Sequence, residues 1–379
     1  MNKIITCCLL FCVCFALLIL PHTTTRAQSE SPFIEPAAID SYVESERQAA
    51  RIPGMAAAIV QGDGQVYLKG YGSAGPDGRP VTPQTPFLLG SVSKSFTALA
   101  VMQLVEAGKI DLDAPIQRYL PWLEFGSPGA SSITARHLLH HTSGIPTYAG
   151  ELAFVGQRSA SLEELLRKQQ KVALSASPGQ KYQYSNLNYV ALGALVEAVS
   201  GQAFGDYLRE NIFAPLEMPH TSTAPGPDLS AGHQYFFGFP VQTQPPFRAD
   251  NLPAGYILSS AEDMAHYLAM WLNGGQYKDT RLLSPAGIAA LQQPEANVTG
   301  YTRYAMGWFT NPDGSVTWHN GSTLNYKAAM KILHKDRLGV VVLYNITDDL
   351  MSSLFGGGFM ISEGIISLLY GEKPPAAGM

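Results

Sequence analysis

The chain has 379 residues, and its four cysteines all fall at its start, at Cys7, Cys8, Cys12 and Cys14. Charge is scarce as well, with Asp, Glu, Lys and Arg making up 15% of the residues against 46% hydrophobic ones. That composition excludes a disordered tail and a charged coiled coil, and it leaves a globular chain with ample core. Basic residues are not in excess. The formal net charge is −5, so no basic surface points to nucleic acid or to anionic lipid. No Gly-x-Ser-x-Gly occurs, which removes the nucleophile elbow of the common α/β-hydrolases.

What is present begins with Lys3, a charge-free run from Ile4 to Leu20, Pro21, and Thr25-Arg26-Ala27. A basic start, an apolar stretch and a small residue at its end describe a secretory signal cut after Ala27. The run also reaches the lower length for spanning a bilayer, so an uncleaved anchor helix over residues 4–20 stays open. The expected location is secreted or periplasmic, or on the outer face of the cytoplasmic membrane if the segment stays. Either way the chain beyond Ala27 has no cysteine, which rules out disulfides, thiol catalysis and cysteine-ligated metal there.

Residues 37–51 read as a helix stopped by Ile52-Pro53-Gly54, followed by a hairpin of two short runs around Gly62-Asp63-Gly64. A second strand group covers 303–309, 315–320, 324–333 and 338–345, and a last helix covers about 349–370, across Gly356-Gly357-Gly358. Between them the pattern is helical over 93–107, 134–141, 161–171, 186–200, 203–212 and 260–273. Strands at both ends with helices between predict one sheet built from both termini and an inserted helical part. The boundaries expected are a sheet portion at 35–92 and 300–375 and a helical portion at 93–299, within a domain spanning 31–375. Residues 220–254, rich in proline and aromatics, read as a long functional loop.

Three short motifs carry chemistry. Ser91-Val92-Ser93-Lys94 opens a helix, so Ser91 and Lys94 share a face of its first turn. A lysine whose pKa is lowered can act as base for the neighbouring hydroxyl. Tyr184-Ser185-Asn186 offers a phenol that shuttles a proton if a nearby cation lowers its pKa, and an amide that orients Lys94 and substrate. The same residues can instead begin a helix, with Ser185 or Asn186 as its cap. His319-Asn320-Gly321-Ser322 ends a strand, where Gly321 allows close approach and the Ser322 N–H can serve an oxyanion. Asn-Gly is also an ordinary hairpin signal.

Taken in this order, Ser-x-x-Lys, Tyr-x-Asn and His-x-Gly resemble the serine β-lactamase-like family of class C β-lactamases, penicillin-binding proteins, D-Ala-D-Ala carboxypeptidases and esterases. Phe87 to Thr97, Ile133 to Gly144, Tyr184 to Leu192, Pro253 to Tyr256 and Ala261 to Met264 extend the likeness from about 35 to 350. The resemblance implies an α+β fold: an antiparallel five-stranded sheet flanked by N- and C-terminal helices, with an inserted all-helical subdomain and the site between them. It implies Ser91 as acylated nucleophile, Lys94 as its base and Tyr184 as proton relay. Asn186, His319, Asn320, Gly321 and Ser322 would contact substrate. Active β-lactamases of this family typically carry Lys-Thr-Gly where this chain has His319-Asn320-Gly321. A His319 beside a substrate carboxylate would act through its protonation.

The expected partner is a small-molecule or peptide substrate (a peptidoglycan stem peptide, a β-lactam or an ester), with no cofactor and no nucleic acid. His137, His140 and His141 have the spacing of metal ligands but lack a nearby acid or cysteine, so no metal is expected. Gly70-x-Gly72-x-x-Gly75 leads into a turn and no helix, so it is not a dinucleotide cradle. Two other functions compete with hydrolysis: a penicillin-binding peptidoglycan sensor that acylates without turnover, and a dead scaffold binding through 220–254. Intact Ser91, Lys94 and Tyr184 weigh against the scaffold.

Overall fold

A computed structural model describes residues 35–62, 64–347 and 360–375. The N-terminal segment read as a signal or anchor, Gly356 to Gly358 and the start of the last expected helix lie outside the described residues. Among the described residues no helix is long and apolar enough to cross a membrane.

The strands come from both ends of the chain, as the two strand groups predict. In spatial order they are Gly64–Gly72, Gly54–Gln61, Leu338–Tyr344, Lys327–Leu333, Val316–Ser322, Phe309–Thr310, Thr302–Tyr304 and Ala296–Thr299. All neighbours run antiparallel. The expected five-stranded sheet is therefore eight-stranded. Its first five members are long strands anticipated, and three short strands continue the edge beyond Val316–Ser322, with 303–309, expected as one strand, divided between Thr302–Tyr304 and Phe309–Thr310.

Strand alternation sends side chains to opposite faces, and here both faces are covered. Ala56, Ala58 and Val60 join Val341 and Leu343 in the core shared with the helical part. Met55, Ala57 and Ile59 join Val340 and Val342 against Ile39 and Val43 of helix Pro36–Ala49 and Ile361 and Ile365 of helix Met360–Leu369. This explains why Gly54–Gln61 and Leu338–Tyr344 are continuous apolar runs.

On the first face, helix Ser93–Glu106 lies buried against Asn186–Ser200 and Ala261–Leu272. A helix apolar on nearly all sides belongs in an interior, and this one carries Lys94 there. The intervening part is mainly helical but holds short strand pairs. Within 220–254, His233–Phe236 and Phe239–Gln242 form a hairpin, joined in parallel by Ile346–Thr347. The segment read as a loop is thus an ordered arm, with Phe236, Phe237 and Phe239 exposed at its tip.

Candidate active site

The site forms where strand Phe87–Leu88 turns into helix Ser93–Glu106. Phe87–Leu88 pairs with Leu258–Ser259, and Leu89 N donates to Ile257 O at 2.9 Å. Gly90 then takes φ +54, a conformation only glycine adopts freely. A Cβ there would sit 2.4 Å from Ser322 N, so the turn and the end of strand Val316–Ser322 touch backbone to backbone. A short 3₁₀ turn, Gly90–Val92, delivers Ser91 to the cleft, partly exposed, ahead of the helix.

Lys94 is fully buried one turn later. Its Nζ donates to Ser91 Oγ at 3.0 Å, Asn186 Oδ1 at 2.8 Å and the Ala254 carbonyl at 2.7 Å. Burial penalises the ammonium and pushes its pKa down to about 7, against a weak opposing pull from Glu151. A neutral amine with its lone pair near Ser91 Oγ is therefore accessible at ordinary pH.

Tyr184 sits over this pair, its ring 4.8 Å from Lys94 Nζ, and its phenol hydrogen-bonds Ser91. The expected lowering of its pKa by a cation does not occur. Burial dominates and raises it well above the ordinary value, so Tyr184 rests as a protonated donor. Its ring is held 4.3 Å from His141, whose Nδ1 accepts from Ser185 N at 3.2 Å. Ser185 occupies the cap position of helix Asn186–Ser200, but its Oγ donates to Pro146 O and makes no cap bond. Asn186 is the first helical residue, which aims its amide at Lys94.

The third motif divides. In strand Val316–Ser322, His319 and Gly321 face the helical side, whereas Asn320 lies on the opposite face. Asn320 is thereby turned away from Ser91, contrary to the substrate contact expected of it. His319 departs from expectation too. It is 1% exposed, with Nδ1 2.6 Å from the Asn320 carbonyl and Nε2 3.2 Å from the Tyr304 hydroxyl. Burial, with the Lys94 charge as second cause, pushes its pKa down to about 3. The reason is the extra edge: Tyr304 and Phe309, from the short strands, close against its ring. His319 is a neutral packing residue behind Tyr184 and not a cation facing a carboxylate.

At Gly321 the strand and the catalytic turn pack backbone against backbone. A Cβ on Gly321 would lie 1.9 Å from Leu89 O and 3.0 Å from Ser91 N. The backbone nitrogens of Ser91 and Ser322 thus lie on either side of one backbone contact. Gly321→Ala should force strand and turn apart, lowering stability by about 1–3 kcal/mol and hydrolysis by about a hundredfold. Thermal melting and steady-state rates on the purified variant check both.

Some site residues carry no sequence signal. Glu151, in helix Thr147–Val155, accepts from Asn186 Nδ2 at 3.4 Å and is an exposed carboxylate in no motif. The Ala254 carbonyl is a backbone atom, and only its Pro253 to Tyr256 context hinted at it. The end of helix Thr147–Val155 is anchored by the buried pair Arg248–Asp250: Arg248 donates to the carbonyls of Ala153, Phe154 and Gly156, and Asp250 accepts from Ser159 N. Two of the three histidines of 137–141 do separate jobs. His137 completes a capping box with Thr134, and His141 abuts Tyr184. Among the described residues, His220, Glu262 and Asp263 bring possible ligand atoms within 4.8 Å, but Asp263 already accepts from His220 N and Thr221 Oγ1.

A two-sided antiparallel sheet, an inserted helical part and a Ser-Lys-Tyr cluster at their junction define a serine-hydrolase fold of the β-lactamase and transpeptidase type. The chain belongs to the Beta-lactamase family, whose model matches residues 39–355. It is 30% identical over 325 residues to Protein flp of Staphylococcus aureus strain MRSA252, covering 83% of this chain and 64% of that protein. It is 29% identical over 323 residues to unguisins hydrolase ungD' of Aspergillus campestris, covering 78% of this chain and 59% of that protein. The chain thus spans about three-fifths of the length of these curated relatives. Among solved structures, an octameric penicillin-binding protein homologue from Pyrococcus abyssi superposes with a TM-score of 0.78 at 28% identity, covering 91% of this chain and 79% of that one. EstCE1, a hydrolase with promiscuous acyltransferase activity, shares the fold with a TM-score of 0.72 at 22% identity, covering 82% and 94%.

Proposed function

We propose that this protein is a serine hydrolase that cleaves ester or amide bonds through an acyl-enzyme on Ser91. The observation that carries this reading is the 3.0 Å contact between Ser91 Oγ and a buried Lys94 amine whose pKa is about 7. Neutral Lys94 takes the Ser91 proton as Oγ attacks the carbonyl, and the resulting oxyanion is received by the N–H groups of Ser91 and Ser322. Tyr184, held protonated, donates to the leaving group and is reprotonated from Lys94, whose Nζ lies 4.8 Å from its ring. Water then repeats the attack, with the proton moving in reverse.

The neutral, buried His319 favours substrates without a carboxylate at that point. The reading therefore leans to ester or peptide acyl donors over β-lactams, whose hydrolysis in this family is associated with a fixed lysine cation. The experiment is a panel of p-nitrophenyl esters, a D-Ala-D-Ala peptide and a chromogenic cephalosporin, with intact mass read on the trapped enzyme. An acyl adduct on Ser91 with ester turnover supports the reading. A stable penicillin adduct without release of any substrate would instead favour the sensor.

The pH dependence follows from Lys94. Its folded pKa lies below the ordinary lysine value, so the free base grows as pH rises through about 7. With a neutral ester, kcat/KM should climb across that interval and level off above it. A profile flat from pH 5 to 9 would remove Lys94 as the base.

A further inference from the structure

The ordered arm ends in an apolar tip. Phe236, Phe237, Phe239 and Val241 are exposed, Phe237 by 88%, and the Phe236 and Phe237 rings meet edge to face at 4.7 Å. From Leu229 to Phe247 the chain carries no Asp, Glu, Lys or Arg. Single apolar residues on a surface need no explanation, but a contiguous aromatic tip on an uncharged arm does.

The backbone sharpens the question. Phe236 pairs with Phe239, so Phe237 and Gly238 form a two-residue turn, at φ 50 and φ 78. A turn with both central residues in that region favours Asn, Asp or Gly, and a bulky residue there is an outlier. Solubility and turn chemistry both disfavour Phe237, which points to an apolar contact made outside the folded chain. The arm is also held in place. Arg51, itself at φ 53 just beyond helix Pro36–Ala49, sets its guanidinium 4.7 Å from the Phe239 ring centre and donates from Nη1 to the Gly238 carbonyl at 3.0 Å. The Tyr235 hydroxyl donates to the Ala50 carbonyl. The rings are therefore presented on a fixed hairpin end, with a cation at their rim.

A second copy of the chain fits this tip poorly. Strand Phe239–Gln242 is the outer member of its sheet, where edge pairing would occur. Thr243 N donates to the Gly232 carbonyl, and the alternation from that pair to the turn directs the Pro240 nitrogen outward. The free edge thus lacks an N–H, a standard block to pairing. A bilayer interface asks for no such pairing. It accepts apolar rings below the headgroups and lets an arginine remain at phosphate level.

We propose that the arm docks this protein on a phospholipid bilayer, with Phe236, Phe237 and Phe239 entering the interface and Arg51 at its surface. The apolar run Ile4 to Leu20 supports this occupant. It ends sixteen residues before Pro36, a separation that spans up to about 50 Å, against about 21 Å for helix Pro36–Ala49. A bilayer entered by that run lies within reach of the arm, giving the two attachments that stable anchoring takes.

The test uses the full chain with phosphatidylcholine vesicles whose acyl chains are either brominated or plain. Phe237→Trp places a fluorescent reporter at the tip. Tyr301→Trp, at a position 87% exposed and outside the arm, serves as control, and the wild-type emission is subtracted from both. Brominated lipid should quench the tip reporter by about half, as entry into the acyl boundary requires, and leave the control unchanged. Adding Phe236→Ser and Phe239→Ser to the reporter should remove most of that quenching, with melting temperature confirming the fold. A tip reporter that brominated lipid does not quench overturns the proposal, and so does equal quenching of reporter and control. An unquenched reporter together with a dimer in lipid-free sedimentation, dissociated by Phe237→Ser, would give the tip to a second copy instead. None of these readouts needs catalysis, so they stand apart from the acyl-enzyme reading.

Discussion

Ser91→Ala should reduce turnover by between about a hundred-thousandfold and a millionfold, the loss seen when an activated serine nucleophile is removed. The side chain is partly exposed, and its partners do not depend on it. Without it, Lys94 keeps Asn186 Oδ1 and the Ala254 carbonyl, and Tyr184 remains packed on His141. The variant should fold with a stability change within about 1 kcal/mol. Intact mass after incubation with substrate makes the outcome unambiguous, because an acyl adduct on the alanine variant would sink the assignment of Ser91.

Lys94→Arg should be nearly as damaging, for a different reason. The amine sits at zero exposure among one hydroxyl and two carbonyl-type oxygens. Arginine stays protonated at any working pH, so it cannot accept the Ser91 proton. A rate loss of about a thousandfold or more is expected. The larger cation, with no buried carboxylate beside it, should also destabilise the fold by about 3–5 kcal/mol. Lys94→Met separates the two effects, since it loses the base without burying a charge and should melt closer to wild type while remaining inactive. Retention of more than about a tenth of the rate in Lys94→Met would move the base role to Tyr184.

Legibility in the sequence followed whether a feature depends on side-chain pattern or on what lies across the fold. Apolar runs, the Gly62-Asp63-Gly64 turn and helical periodicity located the long strands and helices, because burial on both sheet faces requires those residues. Ser91, Lys94, Tyr184 and Asn186 come together as their motifs implied. The environment of His319 was not readable, since 303–309, expected as one strand, forms two, Thr302–Tyr304 and Phe309–Thr310, whose pairing brings Tyr304 and Phe309 together against the His319 ring. Nor was the face of Asn320, which depends on register alone. Glu151 and the Ala254 carbonyl stayed hidden because one is an isolated surface acid and the other a backbone atom. The arm around Phe236 to Phe239 looked like a loop because its parallel partner, Ile346–Thr347, lies over a hundred positions away.

The placement of strand Gly54–Gln61 sets the order in which the molecule can be completed. It is among the earliest strands of the chain, yet one of its edges is closed by Leu338–Tyr344, with Met55 opposite Tyr344 and Gln61 opposite Leu338. During synthesis that edge waits for nearly all of the polypeptide, while its own hairpin with Gly64–Gly72 can form at once. Until the last strand arrives, Met55, Ala57 and Ile59 have neither of their neighbours Val340 and Val342 nor the cover of helix Met360–Leu369. A nascent chain therefore carries an apolar, unpaired β-edge for most of its production, the kind of surface that holdase chaperones shield.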